Sequence, residues 1–136
     1  MGVTVDVVYD GELECTLTHG PSGGTMRTDA PVDNRGRGTL FSPTDLVGAA
    51  MGSCTLTVMG IVARDRGWDM KGARAHVVKE MGAEPRRHIA KLTVDITLPA
   101  ALDERARKTL EATARTCPVQ ASMGATTEVV LTFHYA

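Results

Sequence analysis

The stretch FSPTDLVGAAMGSCTLTVMGIVARDRGW, residues 41–68, contains a long uncharged run with a cysteine inside it. No residue from Leu46 to Ala63 carries a charge, and Cys54 lies near the middle. Such a run is typical of three structures: a membrane-spanning helix, a core helix of a soluble protein, or a helix that holds a reactive thiol in an apolar place. The rest of the chain has to separate them.

Both ends of this stretch carry the signals of a soluble helix. Ser42 can cap the first turn, Pro43 fits the first helical position, and Asp45 favours the positive end of the helix dipole. At the other end Gly67 follows two arginines and predicts a left-handed stop. We therefore predict a helix from about Pro43 to Arg66. We favour a core helix, because the uncharged run only reaches the lower limit of about 18 residues for a membrane span.

The composition is that of an ordinary globular domain. The 136 residues are 43% hydrophobic and 23% charged, with a formal net charge of −1. This length suffices for one hydrophobic core, so we expect a single domain over residues 1–136. The balanced charge favours neither nucleic acid nor a membrane surface as a partner. No signal-peptide pattern is present and three cysteines are few, so we expect a cytoplasmic protein.

Alternating hydrophobic residues predict strands on both sides of the long helix. The predicted strands cover residues 3–9, 12–18, 25–30, 70–82, 88–99 and 128–135. Asp10-Gly11 predicts a hairpin turn, and Asp103 opens a second, amphipathic helix whose inner side includes Leu102, Ala106, Leu110 and Thr113. The order β-β-(β)-α-β-β-α-β predicts an α+β domain built on an antiparallel sheet.

The long helix is apolar on all sides, which has a consequence for assembly. One sheet covers only one side of it, and the second helix is too short to cover the rest. A second copy of the chain is the simplest cover for the remaining face. We therefore expect a homodimer with this helix at its centre.

The three cysteines have different neighbourhoods. Cys54 lies among apolar helix residues, where burial disfavours a thiolate, so it needs a cation or a hydrogen-bond donor to ionise. Cys117 precedes Pro118 and is predicted to cap a short helical turn whose dipole favours a thiolate. Cys15 alternates with two leucines and is expected in the core. Simple packing is the alternative for each cysteine, and no paired His or C-x-x-C spacing predicts a metal site.

Two motifs together carry a family resemblance. They are SPTDLVGAAMGSC at residues 42–54 and CPV at residues 117–119. Together with the order of elements they resemble the OsmC/Ohr family of hydroperoxide-reducing proteins over nearly the whole chain. The resemblance implies an OsmC-like fold: an intertwined homodimer around the central helix. It also implies two active sites at the subunit interface, where two cysteines cycle between dithiol and disulfide.

By position, Cys54 matches the peroxidatic cysteine of that family and Cys117 the resolving one. The resemblance implies that a thiolate attacks the O–O bond and becomes a sulfenic acid, which the second thiol converts to a disulfide. It implies no bound cofactor, because an external dithiol such as a lipoyl group reduces the disulfide. An apolar site around Cys54 suits organic hydroperoxides better than hydrogen peroxide. The expected role is defence against oxidative stress.

Active members of the family hold the thiolate with an arginine, which a glutamate holds in turn. Arg35 falls nearest the arginine position of the OsmC branch, with Arg37 second and Arg27 third. At the glutamate position this chain has Thr44, and the neighbouring Asp45 could substitute, although helix capping accounts for it. This pattern resembles the uncharacterised OsmC-like branch more than either well-defined peroxidase branch.

The sequence leaves two main functions open. The first is a cysteine-based peroxidase for organic hydroperoxides, with Cys54, Cys117 and Arg35 at its centre. The second is a dimer that binds a small apolar or thiol-reactive ligand at the subunit interface without turnover, which Thr44 favours. A purely structural assembly module is a third, weaker interpretation. Thiol reactivity separates the first two, because the enzyme needs an easily ionised Cys54 and the binding protein tolerates an inert one.

Overall fold

The computed structural model describes residues 2–136. The chain divides into two compact units, of which one ends at Leu46 and the other covers Val47–Ala136. The long helix predicted from the sequence is present as α1, Pro43–Arg66, with the predicted bounds. The expectation of a single domain over residues 1–136 stays a prediction.

The first unit is a three-stranded antiparallel sheet followed by an irregular loop. Its strands are β1 (Val5–Gly11), β2 (Glu14–His19) and β3 (Thr25–Asp29), in the order β1-β2-β3. All three strands were predicted. The loop after β3 contains a short 3-10 helix, Val32–Asn34.

The turn between β1 and β2 differs from the prediction. Asp10 and Gly11 belong to β1, and the turn is made by Glu12 and Leu13, whose φ angles are both positive at 54° and 64°. A register shift between Tyr9 and Gly11 adds a residue to β1 and moves the turn along the chain. Asp10 and Gly11 therefore lie at the irregular end of β1 and do not form the turn.

The sheet of the first unit leaves most of its hydrophobic side chains exposed. The exposed fraction is 55% for Val5 and 63% for Tyr9. The other exposed hydrophobic residues of this unit are Val3, Val7, Val8, Leu13, Met26, Val32, Leu40 and Phe41. Apolar surface of this extent is typical of an interaction site rather than of a free surface.

The second unit contains a second sheet, three helices and the hydrophobic core. Its strands are β4 (Arg74–Gly82), β5 (His88–Leu98) and β6 (Glu128–Tyr135), in the order β4-β5-β6. The helices are the greater part of α1, then α2 (Glu104–Ala114) and α3 (Pro118–Ala121). The prediction of one antiparallel sheet is wrong in two respects: there are two sheets, and β6 runs parallel to β5. The connection through α2 returns the chain to the starting end of β5, which makes the pair parallel.

The core of the second unit follows the side-chain alternation of β5. Leu92, Val94, Ile96 and Leu98 are buried, as the sequence predicts. Met51 and Met59 of α1 and the buried stripe of α2 complete one core cluster with them. The buried residues of α2 are Ala106, Leu110 and Ala114. The prediction that Thr113 belongs to this buried side is wrong, because Ala114 takes that place.

Two glycines of α1 allow the helix to lie close to the sheet. A Cβ atom added at Gly48 would lie 3.6 Å from Val77 Cγ1, and one added at Gly52 would lie 3.0 Å from Val77 Cγ2. At Gly52 that distance is shorter than ordinary van der Waals contact, so a side chain there would require Val77 to shift.

The start of α1 is closed by a reciprocal cap. Ser42 Oγ accepts a hydrogen bond from Asp45 N–H at 3.1 Å, and Asp45 Oδ2 accepts one from Ser42 N–H at 2.9 Å. The predicted capping role of Asp45 is thereby confirmed. The helix has the length and mean hydropathy (1.8) of a membrane span, with 33% of its apolar window buried. Its cap and its close packing on the second sheet favour the predicted core helix.

Candidate active site

Two cysteines far apart in sequence meet in the second unit. Cys54 lies in the middle of α1 and Cys117 directly before α3, and the two thiols are close enough to shift each other's pKa. Both are free thiols, as is Cys15 on β2 of the first unit. The fold thus brings together the two cysteines that the family resemblance pairs. Cys15 is half-buried in its own sheet and does not belong to the core cluster, where it was expected.

The two thiols differ in their access to solvent. Cys117 is completely buried, whereas Cys54 is half-buried. Cys117 occupies the predicted N-cap position of α3, with Pro118 at the first helical position. A molecule that arrives from solvent therefore meets the sulfur of Cys54 first.

The surroundings of Cys117 favour its thiolate. Burial raises the pKa of the Cys117 thiol, but the N–H of Gln120, the Cys54 thiol and the Thr55 hydroxyl together outweigh burial and lower it below its ordinary value. The N–H of Val119 adds to this effect. These backbone groups approach the sulfur without the full geometry of a capping hydrogen bond, so they act through their dipoles.

Cys54 has the opposite balance. Burial raises the pKa of its thiol, and the hydrogen bond and charge of Cys117 raise it further, against a smaller lowering by the N–H of Val119. Within the second unit, the negative charge of the pair is therefore favoured on Cys117. The sequence had indicated that Cys54 needs a cation or a hydrogen-bond donor to ionise. The second unit supplies one donor, the N–H of Val119, which does not offset the effect of burial on the Cys54 pKa.

The candidate arginines lie in the first unit. Arg35 ends the short 3-10 helix with a φ angle of 69°, and its side chain is exposed. Arg37 and Arg27 both bind Glu14: Arg37 Nη2 lies 2.9 Å from Oε2 and Arg27 Nη2 lies 3.0 Å from Oε1. Glu14 thus holds two of the three candidates with its two oxygens. That any of these arginines stabilises the Cys54 thiolate stays a prediction.

Sequence analysis missed Glu14 and the neighbouring Asp29, which pairs with it across β2 and β3. Asp29 is almost completely buried, and its Oδ2 accepts hydrogen bonds from Thr39 Oγ1 at 2.7 Å and Thr39 N–H at 3.2 Å. Its Oδ1 has no partner among the described residues. These bonds from Thr39, with a further contribution from Arg37, lower the pKa of the Asp29 carboxyl. Asp29 therefore closes the loop that carries Arg35 and Arg37. The sequence signal that could have identified it is an acidic residue within the alternating pattern of a predicted strand.

The residue at the family's glutamate position is engaged at the start of α1. Thr44 Oγ1 lies 3.2 Å from Ser42 Oγ, next to the reciprocal cap that Ser42 forms with Asp45. A supporting role of Thr44 or Asp45 toward an arginine stays a prediction. Within residues 2–136, no group of three or more His, Cys, Asp or Glu side chains is arranged to hold a metal ion.

Comparison with known proteins adds a family and a closely similar structure. The sequence model of the OsmC-like protein family matches residues 36–132. A crystal structure from Psychrobacter arcticus 273-4, of a candidate osmotic stress induced and detoxification response protein, is 40% identical, with a TM-score of 0.91 and 98% of each chain covered. No curated protein matches the chain closely enough to add a relative.

More distant structures share the fold. The organic hydroperoxide resistance protein OsmC of Legionella pneumophila is 17% identical, with a TM-score of 0.75 over 98% of this chain and 97% of its own. A candidate organic hydroperoxide resistance protein of Vibrio cholerae, with captopril bound in one of its active sites, is 18% identical, with a TM-score of 0.73 over 98% and 91%. At these identities the likeness concerns the fold alone.

Proposed function

Because the chain belongs to the OsmC-like protein family, we propose that it is a thiol-dependent peroxidase that reduces organic hydroperoxides. The observation that carries this proposal is the contact between the Cys54 and Cys117 thiols, one accessible and one buried. A protein of the same fold in Legionella pneumophila is named for organic hydroperoxide resistance, which supports the substrate class. We place this activity in oxidative-stress defence.

The close approach of the two thiols offers a route for the proton of Cys54. When that proton passes to the Cys117 thiolate, Cys54 becomes the thiolate at the accessible position. Its sulfur then attacks the hydroperoxide: an S–O bond forms, the O–O bond breaks, and the alkoxide leaves and takes a proton from solvent. Cys54 is now a sulfenic acid, oxidised by two electrons, and the hydroperoxide has become an alcohol.

The second half of the cycle uses Cys117. Cys117, which carries the proton it took from Cys54, releases that proton, and its thiolate attacks the sulfur of the Cys54 sulfenic acid. The S–S bond forms, and the hydroxide that leaves is protonated to water. An external dithiol, such as a reduced lipoyl group, then exchanges with this disulfide. It becomes a disulfide itself and returns both cysteines to thiols, so the chain needs no bound cofactor.

A cation is still required to make Cys54 ionise readily, because burial raises the pKa of its thiol. We propose Arg35 for this role, as the sequence resemblance does, with Arg37 second and Arg27 third. Thr44 and Asp45 are the proposed supporting residues. Glu14 joins them as the residue that holds Arg27 and Arg37.

We also propose that the protein works as a homodimer. Its first unit exposes many hydrophobic side chains, and Ile61 of α1 is 56% exposed. Exposed residues follow α1 at intervals of one turn, namely Ala49, Ser53, Thr57 and Ile61. A second copy would cover these surfaces. The OsmC-like fold is that of a soluble protein, and we place it in the cytoplasm.

A second candidate function, ligand binding without turnover, is supported by the chemistry of Cys54. The raised pKa of Cys54 favours a protein that binds a small apolar or thiol-reactive molecule without turnover. The Vibrio cholerae structure of the same fold holds captopril in one of its active sites. In this case a Cys54→Ser variant keeps its affinity for the ligand.

Peroxide consumption tests the enzyme. The purified protein is given tert-butyl hydroperoxide or hydrogen peroxide with dihydrolipoamide, alongside Cys54→Ser, Cys117→Ser and the control Cys15→Ser. We expect faster turnover of the organic peroxide, loss of turnover in Cys54→Ser and normal turnover in Cys15→Ser. Absence of turnover in the parent protein, with Cys54 slow to alkylate at neutral pH, would overturn the peroxidase and leave the binding protein.

A further inference from the structure

The segment after β3, residues 30–38, is a loop that closes on itself and contains two of the candidate arginines; we call it the arginine loop. Gly38 N–H donates a hydrogen bond to the Ala30 carbonyl oxygen at 3.2 Å, and Gly36 N–H donates one to the Pro31 carbonyl oxygen at 2.9 Å. A Cβ atom added at Gly36 would overlap the Ala30 oxygen, so the two sides of the loop touch there. The chain therefore leaves β3 and returns close to where it left.

Asp29 connects the two ends of the arginine loop. It is the last residue of β3 and is almost completely buried. Its Oδ2 accepts hydrogen bonds from Thr39 Oγ1 at 2.7 Å and from Thr39 N–H at 3.2 Å, and its own N–H donates to the Phe41 carbonyl oxygen at 3.1 Å. The buried Oδ1 has no hydrogen-bond partner in the described part of the chain. Both side-chain bonds therefore depend on Thr39.

These bonds are strong for their number, because their acceptor is charged. A hydrogen bond to an ionised group is roughly twice as strong as one between neutral groups. The Thr39 side chain is exposed, so it contributes its hydroxyl to Asp29 without filling space in a core. Removal of that hydroxyl would leave the carboxylate with the Thr39 N–H alone.

Arg35 is the candidate arginine whose charge the first unit leaves unpaired. Arg27 and Arg37 both bind Glu14, whereas Arg35 is exposed and has no ion-pair partner among residues 2–136. Its φ angle of 69° lies in the left-handed region, which a residue with a Cβ atom rarely adopts. Such a conformation persists where the surrounding structure imposes it. The closed loop thus holds an unpaired guanidinium on a backbone that arginine does not favour by itself.

We propose that Asp29 is a positioning residue for Arg35, which acts by holding the ends of the arginine loop together through Thr39. This inference rests on the proposed function, in which Arg35 stabilises the Cys54 thiolate. A cation on an open loop samples many positions, whereas a closed loop offers its charge at one. Charge that is already in place contributes more to a reaction than charge that must first be ordered.

Limited proteolysis with trypsin tests the closure without peroxide. Trypsin cleaves after arginine, and the rate of cleavage after Arg35 follows the fraction of loops that are open. We expect Thr39→Val to raise this rate about tenfold, because a hydrogen bond to a charged group is lost. Asp29→Asn, a weaker acceptor, should act in the same direction, and Thr39→Ser should restore the parental rate. Thr25→Val, at the exposed start of β3, is the matched control and should leave the rate unchanged.

Arg86 provides an internal reference in every digest. It lies in the exposed loop between β4 and β5 of the second unit. Mass spectrometry identifies each bond that is cut, so cleavage after Arg86 and after Arg35 is measured in the same sample. General unfolding accelerates both cuts, whereas opening of the arginine loop accelerates only the cut after Arg35.

The second measurement is turnover of tert-butyl hydroperoxide with dihydrolipoamide. We expect Thr39→Val to lower kcat/KM and Thr39→Ser to restore it, because only the valine loosens the loop. In an Arg35→Ala background the same Thr39→Val substitution should have no further effect, since the group that it positions is gone.

Two outcomes overturn the proposal. One is cleavage after Arg35 that is no faster in Thr39→Val than in Thr25→Val. The other is a loss of kcat/KM from Thr39→Val that persists in full in the Arg35→Ala background, which would trace the loss to something other than Arg35. Absence of turnover in the parent protein would overturn the proposed function instead, and the cleavage rates alone would then decide whether Asp29 and Thr39 hold the loop.

Discussion

Cys54 of α1 and Cys117 at the start of α3 interact through their side chains, and the pKa values of the two thiols are shifted in opposite directions. Burial and the neighbouring Cys117 raise the pKa of Cys54, whereas the N–H of Gln120 and the Cys54 thiol lower that of Cys117 despite its burial. The buried sulfur is thus the easier one to ionise, and the accessible sulfur keeps the proton. One proton passing between the two sulfurs exchanges the two states, so the pair can present a thiolate at either position.

The first prediction concerns the order in which the two thiols ionise. In a Cys15→Ser background, the Cys54→Ser variant leaves Cys117, which should titrate below the ordinary range of a thiol because the N–H groups of Gln120 and Val119 remain after the Cys54 thiol is removed. The Cys117→Ser variant leaves Cys54, which should titrate above that range because it is still buried. Ultraviolet absorbance of the thiolate measures both transitions. Coincident transitions would contradict the electrostatic account of the pair.

The second prediction concerns the buried carboxylate of the first unit. The pKa of Asp29 is lowered from its ordinary value of 3.8. A lowered folded-state pKa stabilises the fold above the unfolded value, and that stabilisation disappears as the pH falls below 3.8 through the folded value. We expect Asp29→Asn to be less stable at neutral pH and to lack part of this acid-dependent loss. Urea unfolding measured across the acid range checks it.

A matched control for Asp29 lies on β1. Asp6 is exposed, so Asp6→Asn should leave both the neutral stability and its dependence on acid unchanged. Equal effects of the two substitutions would indicate that net charge, rather than the bonds from Thr39, is responsible.

The third prediction compares two glycines of the same helix. A Cβ atom at Gly52 would lie 3.0 Å from Val77, whereas one at Gly60 has nothing within 4 Å. Gly52→Leu should destabilise the fold by about 1–3 kcal/mol through overpacking. Gly60→Ala should stabilise it by up to about 1 kcal/mol, because alanine favours the helix. Thermal unfolding decides; a tolerated leucine at Gly52 would disprove the close packing of α1 on the sheet.

The fourth prediction concerns the proposed homodimer. Ile61 is exposed on α1, whereas Met59, two residues earlier, is completely buried. Ile61→Asp should shift the protein toward monomer in sedimentation velocity, because a charge would be buried between copies. Thr126→Asp, in an exposed loop outside α1, is the control and should not alter the sedimentation coefficient. A parent protein that sediments as a monomer at all concentrations would refute the dimer.

Local signals allowed much of the fold to be predicted. Ser42, Pro43 and Gly67 specify the ends of α1 through contacts within one turn, and both ends agree with the structure. The position of Cys117 at the start of α3 follows in the same way from Pro118. The turn after β1 was misplaced, because the irregularity that extends this strand depends on its pairing with β2.

The candidate site was only partly predictable. The motifs selected Cys54 and Cys117, but nothing near either residue in sequence indicates which of the two thiols ionises more easily. Glu14 escaped notice because its two arginine partners come from β3 and from the loop beyond it. Contacts of this kind join residues that the chain separates, so no local pattern announces them.

The amino-acid sequence was sufficient for the helices, the strands, the two cysteines and the family resemblance, since these depend on neighbouring residues and on motifs. Only the three-dimensional arrangement decided three features: the parallel pairing of β6 with β5, the binding of Arg27 and Arg37 by Glu14, and the order in which the two thiols ionise. A pKa reflects burial and every dipole and donor within a few ångströms. For Cys117 those groups come from two helices, and folding is what brings them to one sulfur.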